Sequence, residues 1–309
     1  MNAAALRARL AAVSPRVWLV AIVVVSAIVR IALARRMVAP WIMVDELVYS
    51  ELAKSIAAHG HFLVRGVPSS GYGVVYPLLI APAWRLFGAV PDAYAAAKVI
   101  NAVVMSLAAV PAYGIGRRVL SSRASLVAAA LAVTVPSMLY TGTLMTENGF
   151  YPVFLTACLA LVVMLERPTL RTQLVVLAVC GIAYLTCAQA IALVAAAATA
   201  PLLLAASERG AVRAALRPFA LIYGVLIGGG LLVLLAEVAR GKSPLDLLGA
   251  YRAATTSTYT ASGILHYLLY HWGELSLYVG VVPFAALAAV WLTPTTGTRA
   301  VREIGRAHV

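Results

Sequence analysis

About eight apolar runs of roughly 15–22 residues recur along the chain, at 17–34, 93–114, 124–142, 150–165, 174–188, 189–206, 219–239 and 275–292, and a helix needs about 20 to cross the hydrocarbon core. No other feature constrains the fold as much. Inside a bilayer no water satisfies backbone N–H and C=O groups, so each crossing segment closes its own bonds as an α-helix. Composition agrees: 63% of the 309 residues are apolar and only 11% charged, against about 25% charged in an average globular chain. A water-soluble fold of this length could not hide that much apolar surface. A cytosolic enzyme, a nucleic-acid-binding module and a disordered protein are therefore excluded. The expected fold is all-α, a polytopic transmembrane helix bundle of about 8 spans, with the bilayer as its first partner. Runs five and six are nearly continuous and read either as a tight hairpin or as one long tilted helix.

The formal net charge is +13, and the basic residues sit mainly in short loops. Arg117, Arg118 and Arg123 follow the second run, Arg167 and Arg171 the fourth, and Arg209, Arg213 and Arg217 the sixth, whereas 143–149 holds neither Lys nor Arg. Basic short loops face the cytoplasm. Alternation then puts two long segments outside, 35–92 and 240–274. Arg30, Arg35 and Arg36, at the outer end of the first run, are opposed to that orientation. Cys158, Cys180 and Cys187 all lie within apolar runs, with neither disulfide nor zinc spacing.

Asp45 to Ile56 reads as an amphipathic helix, with Val48, Leu52 and Ile56 recurring at i+4 on one face. Val74–Phe87 is apolar but short, with two prolines and Arg85, and reads as a second interfacial helix. The Tyr-, Thr- and Ser-rich stretch 245–271 suits the membrane surface as well.

Acids are scarce, yet Asp45 and Glu46 are adjacent at a helix start. One reading is capping, since carboxylates favour a helix N-terminus. The other is a general base with a neighbour that positions substrate or cation. Glu147, followed by Asn148, lies in a short polar break between two runs on the same expected side. An acid near hydrocarbon is costly unless it faces a polar cavity or a partner. Arg65, Tyr72 and Tyr76, set among Gly66, Gly71 and Gly73, read as phosphate or sugar contacts or as interface anchors. His59 and His61 lack a fixed acid nearby, so no metal site is assigned, and a divalent cation stays an open cofactor. No P-loop or Rossmann fingerprint is present, so no nucleotide cofactor is expected.

The order of these pieces resembles the GT-C superfamily of polytopic glycosyltransferases, which includes protein O-mannosyltransferases and aminoarabinose transferases. The resemblance rests on Asp45-Glu46 followed by Tyr49, on Tyr76-Pro77-Leu78-Leu79 leading to Leu86-Phe87-Gly88, and on Tyr113 to Leu120. It continues through Pro136 to Tyr140 ahead of Glu147, and Tyr184-Leu185-Thr186, covering about residues 17–206. It implies an inverting transfer of a sugar from a polyprenyl-phosphate donor to the hydroxyl of a glycan, lipid or protein acceptor. Asp45 takes the base role, Glu46 helps to position acceptor or cation, and Glu147 matches the second acid. Arg65 is the candidate charge for the phosphate, with Tyr72, Tyr76 and Asn148 as further substrate contacts. Where relatives often carry Lys or Arg after the Leu-Thr step, this chain has Cys187.

The implied location is a bacterial plasma membrane with the site on the extracytoplasmic face. Residues 1–292 are expected to form the transferase module, incomplete at its C-terminus. The tail 293–309 is expected to be a truncation or sequencing artefact, since Glu303 to Val309 matches one frame of a common adapter. The alternatives are a transporter or flippase of lipid-linked sugars, for which only Glu237 approaches mid-membrane, and a catalytically inactive relative.

Overall fold

A computed structural model describes residues 13–38, 40–41, 43–68, 73–134, 140–207, 212–243 and 258–278. The chain divides into two compact units, 1–134 with 138–250, and 251–309 with 135–137. In the first unit, α1 (Pro15–Ala34) opens on a proline at the start of its first turn, where a missing N–H is tolerated. The acid-bearing α2 (Met43–His59) follows. A two-stranded antiparallel hairpin, β1 (Leu63–Val64) and β2 (Val67–Pro68), leads to α3 (Val75–Leu86). Then come α4 (Val90–Ser106), α5 (Ala109–Val119), α6 (Ser122–Ala132), α7 (Glu147–Glu166), α8 (Leu170–Thr186), α9 (Ile191–Ser207), α10 (Val212–Leu216) and α11 (Ala220–Ala239). The second unit carries α12 (Ala261–Tyr278).

The all-α class holds, with the two-residue strands as a minor addition. Among the described residues, five helical segments are long and apolar enough to cross a membrane: Pro15–Ala34, Val90–Val119, Glu147–Glu166, Ala188–Ala206 and Ala214–Ala239. Of the third expected run, 124–142, the described part is α-helical to Ala132, with a 3-10 turn at 140–142, and 135–139 lie outside the described residues. Eleven residues rise about 16 Å, half of a bilayer core. Runs five and six are two helices: Cys187 is extended (φ −152°, ψ 129°) and a single 3-10 turn, Ala188–Ala190, follows it. The eighth run lies mostly outside the described residues, as do 244–257 of the surface stretch and the boundary at 292.

Two clusters hold the first unit together. One joins Ala157 and Met164 of α7 to Val176 and Ala183 of α8, Leu193 of α9, and Phe219 and Ile222 at the start of α11. Its many alanines allow close helix approach, as in other membrane bundles. The other joins Tyr49, Leu52 and Ala53 of α2, Tyr76, Ile80 and Ala83 of α3, Tyr94 and Ala97 of α4, and Leu144. The expected stripe of α2 is thus shifted by one residue: Tyr49, Leu52 and Ala53 are buried, while Val48 and Ile56 flank them. Outward residues such as Val20, Ile28, Ile227 and Leu232 stay exposed, as lipid-facing positions should.

Arg30 does not act as a loop charge. It is buried in α1, donating from Nη2 to the Val133 carbonyl at 2.6 Å and from Nε to Ser26 Oγ at 3.1 Å. It therefore caps the end of α6 and has no weight in the charge-based orientation.

Candidate active site

The first turns of α2 and α7 both begin on acids, Asp45 and Glu46 on one and Glu147 on the other. A helix start favours negative charge, so both positions suit a carboxylate before any tertiary contact is made. The tertiary fold then brings the two helix starts together.

Glu46 is the hinge of this arrangement. It is fully buried, with Oε1 accepting the Trp41 amide at 2.7 Å. Its Oε2 accepts the Tyr94 hydroxyl at 2.7 Å and the Leu144 amide at 2.9 Å. A buried carboxylate is tolerated only when its lone pairs are matched in this way. Asp45, one residue earlier, is half-buried and lies on a different side of the helix.

Tyr49, one turn after Asp45, marks where the acids meet. Its hydroxyl shares a hydrogen bond with the Thr146 hydroxyl and lies within the electrostatic reach of Asp45, Glu147 and Cys187. Burial first, and the two acids after it, push the Tyr49 phenol up to about 12. Thr146 Oγ1 in turn makes a long 3.4 Å contact with Glu147 Oε2. Beneath Tyr49, the ring of Tyr76 meets it edge-on at 5.4 Å and 89°.

A layer of buried amides supports this floor. Tyr76 is wholly buried and donates to Asn101 Oδ1 at 3.1 Å, while Asn101 Nδ2 donates to the Thr143 carbonyl at 2.9 Å. Asn148, also wholly buried, donates from Nδ2 to the carbonyls of Tyr140, Thr143 and Met145. Three acceptors around one nitrogen fix which way the amide points.

Cys187 joins the site because α8 ends against it. A Cβ on Gly73 would lie 2.1 Å from the Thr186 carbonyl oxygen, and one on Gly149 would lie 3.4 Å from Thr186 Cγ2. The approach to α3 and the first turn of α7 therefore both press on the end of α8.

The structure separates the residues singled out from sequence into three groups. Asp45, Glu147 and Cys187 lie within the electrostatic reach of Tyr49. Glu46, Tyr76 and Asn148 are buried and make internal hydrogen bonds. Arg65 is exposed at the tip of the hairpin, where it and Gly66 take positive φ (53° and 80°) as a two-residue turn requires. Tyr72 lies outside the described residues. His59 and His61 are exposed, and among the described residues no group of three or more His, Cys, Asp or Glu side chains could hold a metal ion.

Sequence reasoning missed Tyr94, Lys98 and Asn101 of α4. The signal was present: three polar residues at i, i+4 and i+7 inside an apolar run share one helix face, and polar groups inside a span face the bundle interior.

Five membrane-length helices around two converging acid-bearing helix starts define an integral membrane protein. Residues 72–235 match the dolichyl-phosphate-mannose-protein mannosyltransferase family. That is over half of the chain, and the protein belongs to this family of GT-C-type membrane glycosyltransferases. The matched segment contains Tyr76, Tyr94, Glu147 and Asn148; the Asp45-Glu46 pair precedes it. No curated protein and no solved structure matches the chain.

Proposed function

We propose that this glycosyltransferase moves a sugar from a polyprenyl-phosphate donor to an acceptor hydroxyl with inversion, using Asp45 as the general base. The observation that carries this reading is the 2.9 Å bond from the Leu144 amide to Glu46, which joins the helix start that carries Asp45 to the turn that leads into Glu147, 102 residues away in sequence (147 − 45).

In the proposed step the Asp45 carboxylate takes the proton of the acceptor hydroxyl. The freed oxygen forms its bond to the anomeric carbon from the face opposite the phosphate. The carbon–oxygen bond to phosphate breaks, and its electron pair leaves with the polyprenyl phosphate. A base positioned in this way contributes about 10²–10⁴-fold. Glu147 holds acceptor hydroxyls, and Arg65 at the hairpin tip supplies positive charge to the departing phosphate. The donor's prenyl chain keeps it in the bilayer, which accounts for a site built at the ends of spanning helices. The positive-inside pattern of Arg117, Arg118, Arg123, Arg167 and Arg171 supports an extracytoplasmic site in a bacterial plasma membrane. The acceptor is a glycan, lipid or protein hydroxyl.

Membranes containing the protein, given labelled polyprenyl-phosphate hexose or pentose, test the reading. Transfer by the wild type and its loss by about 100-fold or more in Asp45→Asn, at equal protein level, is the expected result. Wild-type transfer that survives Asp45→Asn overturns the base assignment. Absence of transfer from every donor by well-inserted protein favours a lipid-linked-sugar transporter.

A further inference from the structure

The polar stripe on α4 reaches three separate segments that border the acids. Tyr94 donates to Glu46 on α2 at 2.7 Å. Asn101 donates to the Thr143 carbonyl, four residues before Glu147, and accepts from Tyr76 under Tyr49. Between them, Lys98 donates to the carbonyls of Ala34 and Met37, where α1 ends and the chain turns toward α2. The Lys98 ammonium also lies 4.7 Å above the Tyr94 ring, which holds the two side chains in register. All three residues are buried. The Leu144 amide on Glu46 joins the start of α2 to the turn before α7, so whatever holds Glu46 and that turn also holds the two acid-bearing helix starts.

We propose that α4 holds both: Tyr94, Lys98 and Asn101 are positioning residues that set the distance between the two acids, Tyr94 acting through Glu46 and Asn101 through the 143–146 turn. This inference rests on the acid-base reading above. None of the three side chains touches substrate. Their effect reaches the reaction only through the placement of Asp45 and Glu147, and misplacement by about 1 Å is enough to cost about 100-fold. The one span therefore gauges both acids, which otherwise belong to helices far apart in sequence.

Initial rates of sugar transfer over a range of donor concentrations, per molecule of inserted protein, test the inference. Tyr94→Phe keeps the ring and loses only the O–H; it is expected to lower kcat about 10-fold and leave the donor KM within about twofold. Asn101→Ser is expected to give the same pattern. Because Tyr94 acts through Glu46, the double variant Tyr94→Phe with Glu46→Gln should be no slower than Glu46→Gln alone. A stripe that serves folding alone would lower the quantity or thermal stability of the protein without moving kcat per molecule. Normal kcat in both single variants, fully multiplicative losses in the double variant, or failure of both single variants to accumulate would overturn the inference. Asp45→Asn in the same membranes separates the two levels. If it is active, the base reading fails; if it is inactive while Tyr94→Phe and Asn101→Ser are normal, only the α4 inference fails.

Discussion

The carboxylate of Glu46 and the backbone amide of Leu144 are joined by a 2.9 Å hydrogen bond across 98 residues of chain. Glu46 sits on the first turn of α2, and Leu144 three residues before Glu147. The bond therefore ties the helix start that carries Asp45 to the helix start that carries Glu147. The Glu46 side chain has no exposed surface, accepts from three donors and holds the loops in place, while Asp45 beside it is half-buried.

Asn148 staples the same turn. Its one amide nitrogen serves the carbonyls of Tyr140, Thr143 and Met145; Asn148→Ala removes these side-chain bonds while each carbonyl keeps another donor. The expected cost is about 0.5–1.5 kcal/mol, read as a lower melting temperature of the protein in detergent. Asn148→Asp should cost at least as much, because it aims an acceptor at three acceptors. A melting temperature unchanged in both would show that the turn holds without this amide.

Gly73 has no room for a side chain. The added carbon of Gly73→Ala would overlap the Thr186 carbonyl, and backbone on both sides leaves no flexible end to give way. Overpacking of this kind costs about 1–3 kcal/mol. Gly60→Ala is the useful contrast. No atom lies within 4 Å of its added carbon, and its penalty comes only from the positive φ of 71°. Thermal unfolding of the two variants should therefore differ in cause: Gly73→Ala also disturbs transfer, while Gly60→Ala changes stability alone.

Tyr49 gives a pH signature. Its native pKa is raised to about 12, chiefly by burial, above the ordinary value of about 10 for an unfolded chain. Between those two values the unfolded chain has lost the proton and the native protein keeps it, so protons favour the native state. The contribution of Tyr49 is complete below about pH 10 and is lost as pH rises toward 12. Alkaline unfolding curves should show it: Tyr49→Phe, with no proton to lose, falls less steeply than the wild type across that window. Parallel curves for the two proteins would contradict the burial of this phenol.

The site was partly legible before any folding was considered, and the residues explain which part. Asp45 and Glu147 stood out because acids are rare in this chain and both sit beside apolar runs, a local pattern. Glu46, Tyr76 and Asn148 looked equally exposed to chemistry. Sequence spacing does not report burial, and all three turn inward, Glu46 and Asn148 onto backbone groups and Tyr76 onto the Asn101 amide. Tyr94 and Asn101 were passed over because they lie inside a run whose apolar character dominated the reading. Arg30 misled in the opposite sense: a charge near a span end resembles a loop residue until the Val133 carbonyl beside it is known.

The sequence by itself determined that this is a helical membrane protein, where its long apolar helices lie, and which two acids head helices. Those properties depend on periodicity, length and local electrostatics, which act within a few turns of chain. The tertiary structure alone decided that α2 and α7 start side by side, that Glu46 joins them, and that α4 supplies the donors. Such contacts join residues about 50 to 100 positions apart, and no local pattern encodes them. They exist because a buried carboxylate and buried carbonyls must find partners once hydrocarbon has replaced water around them.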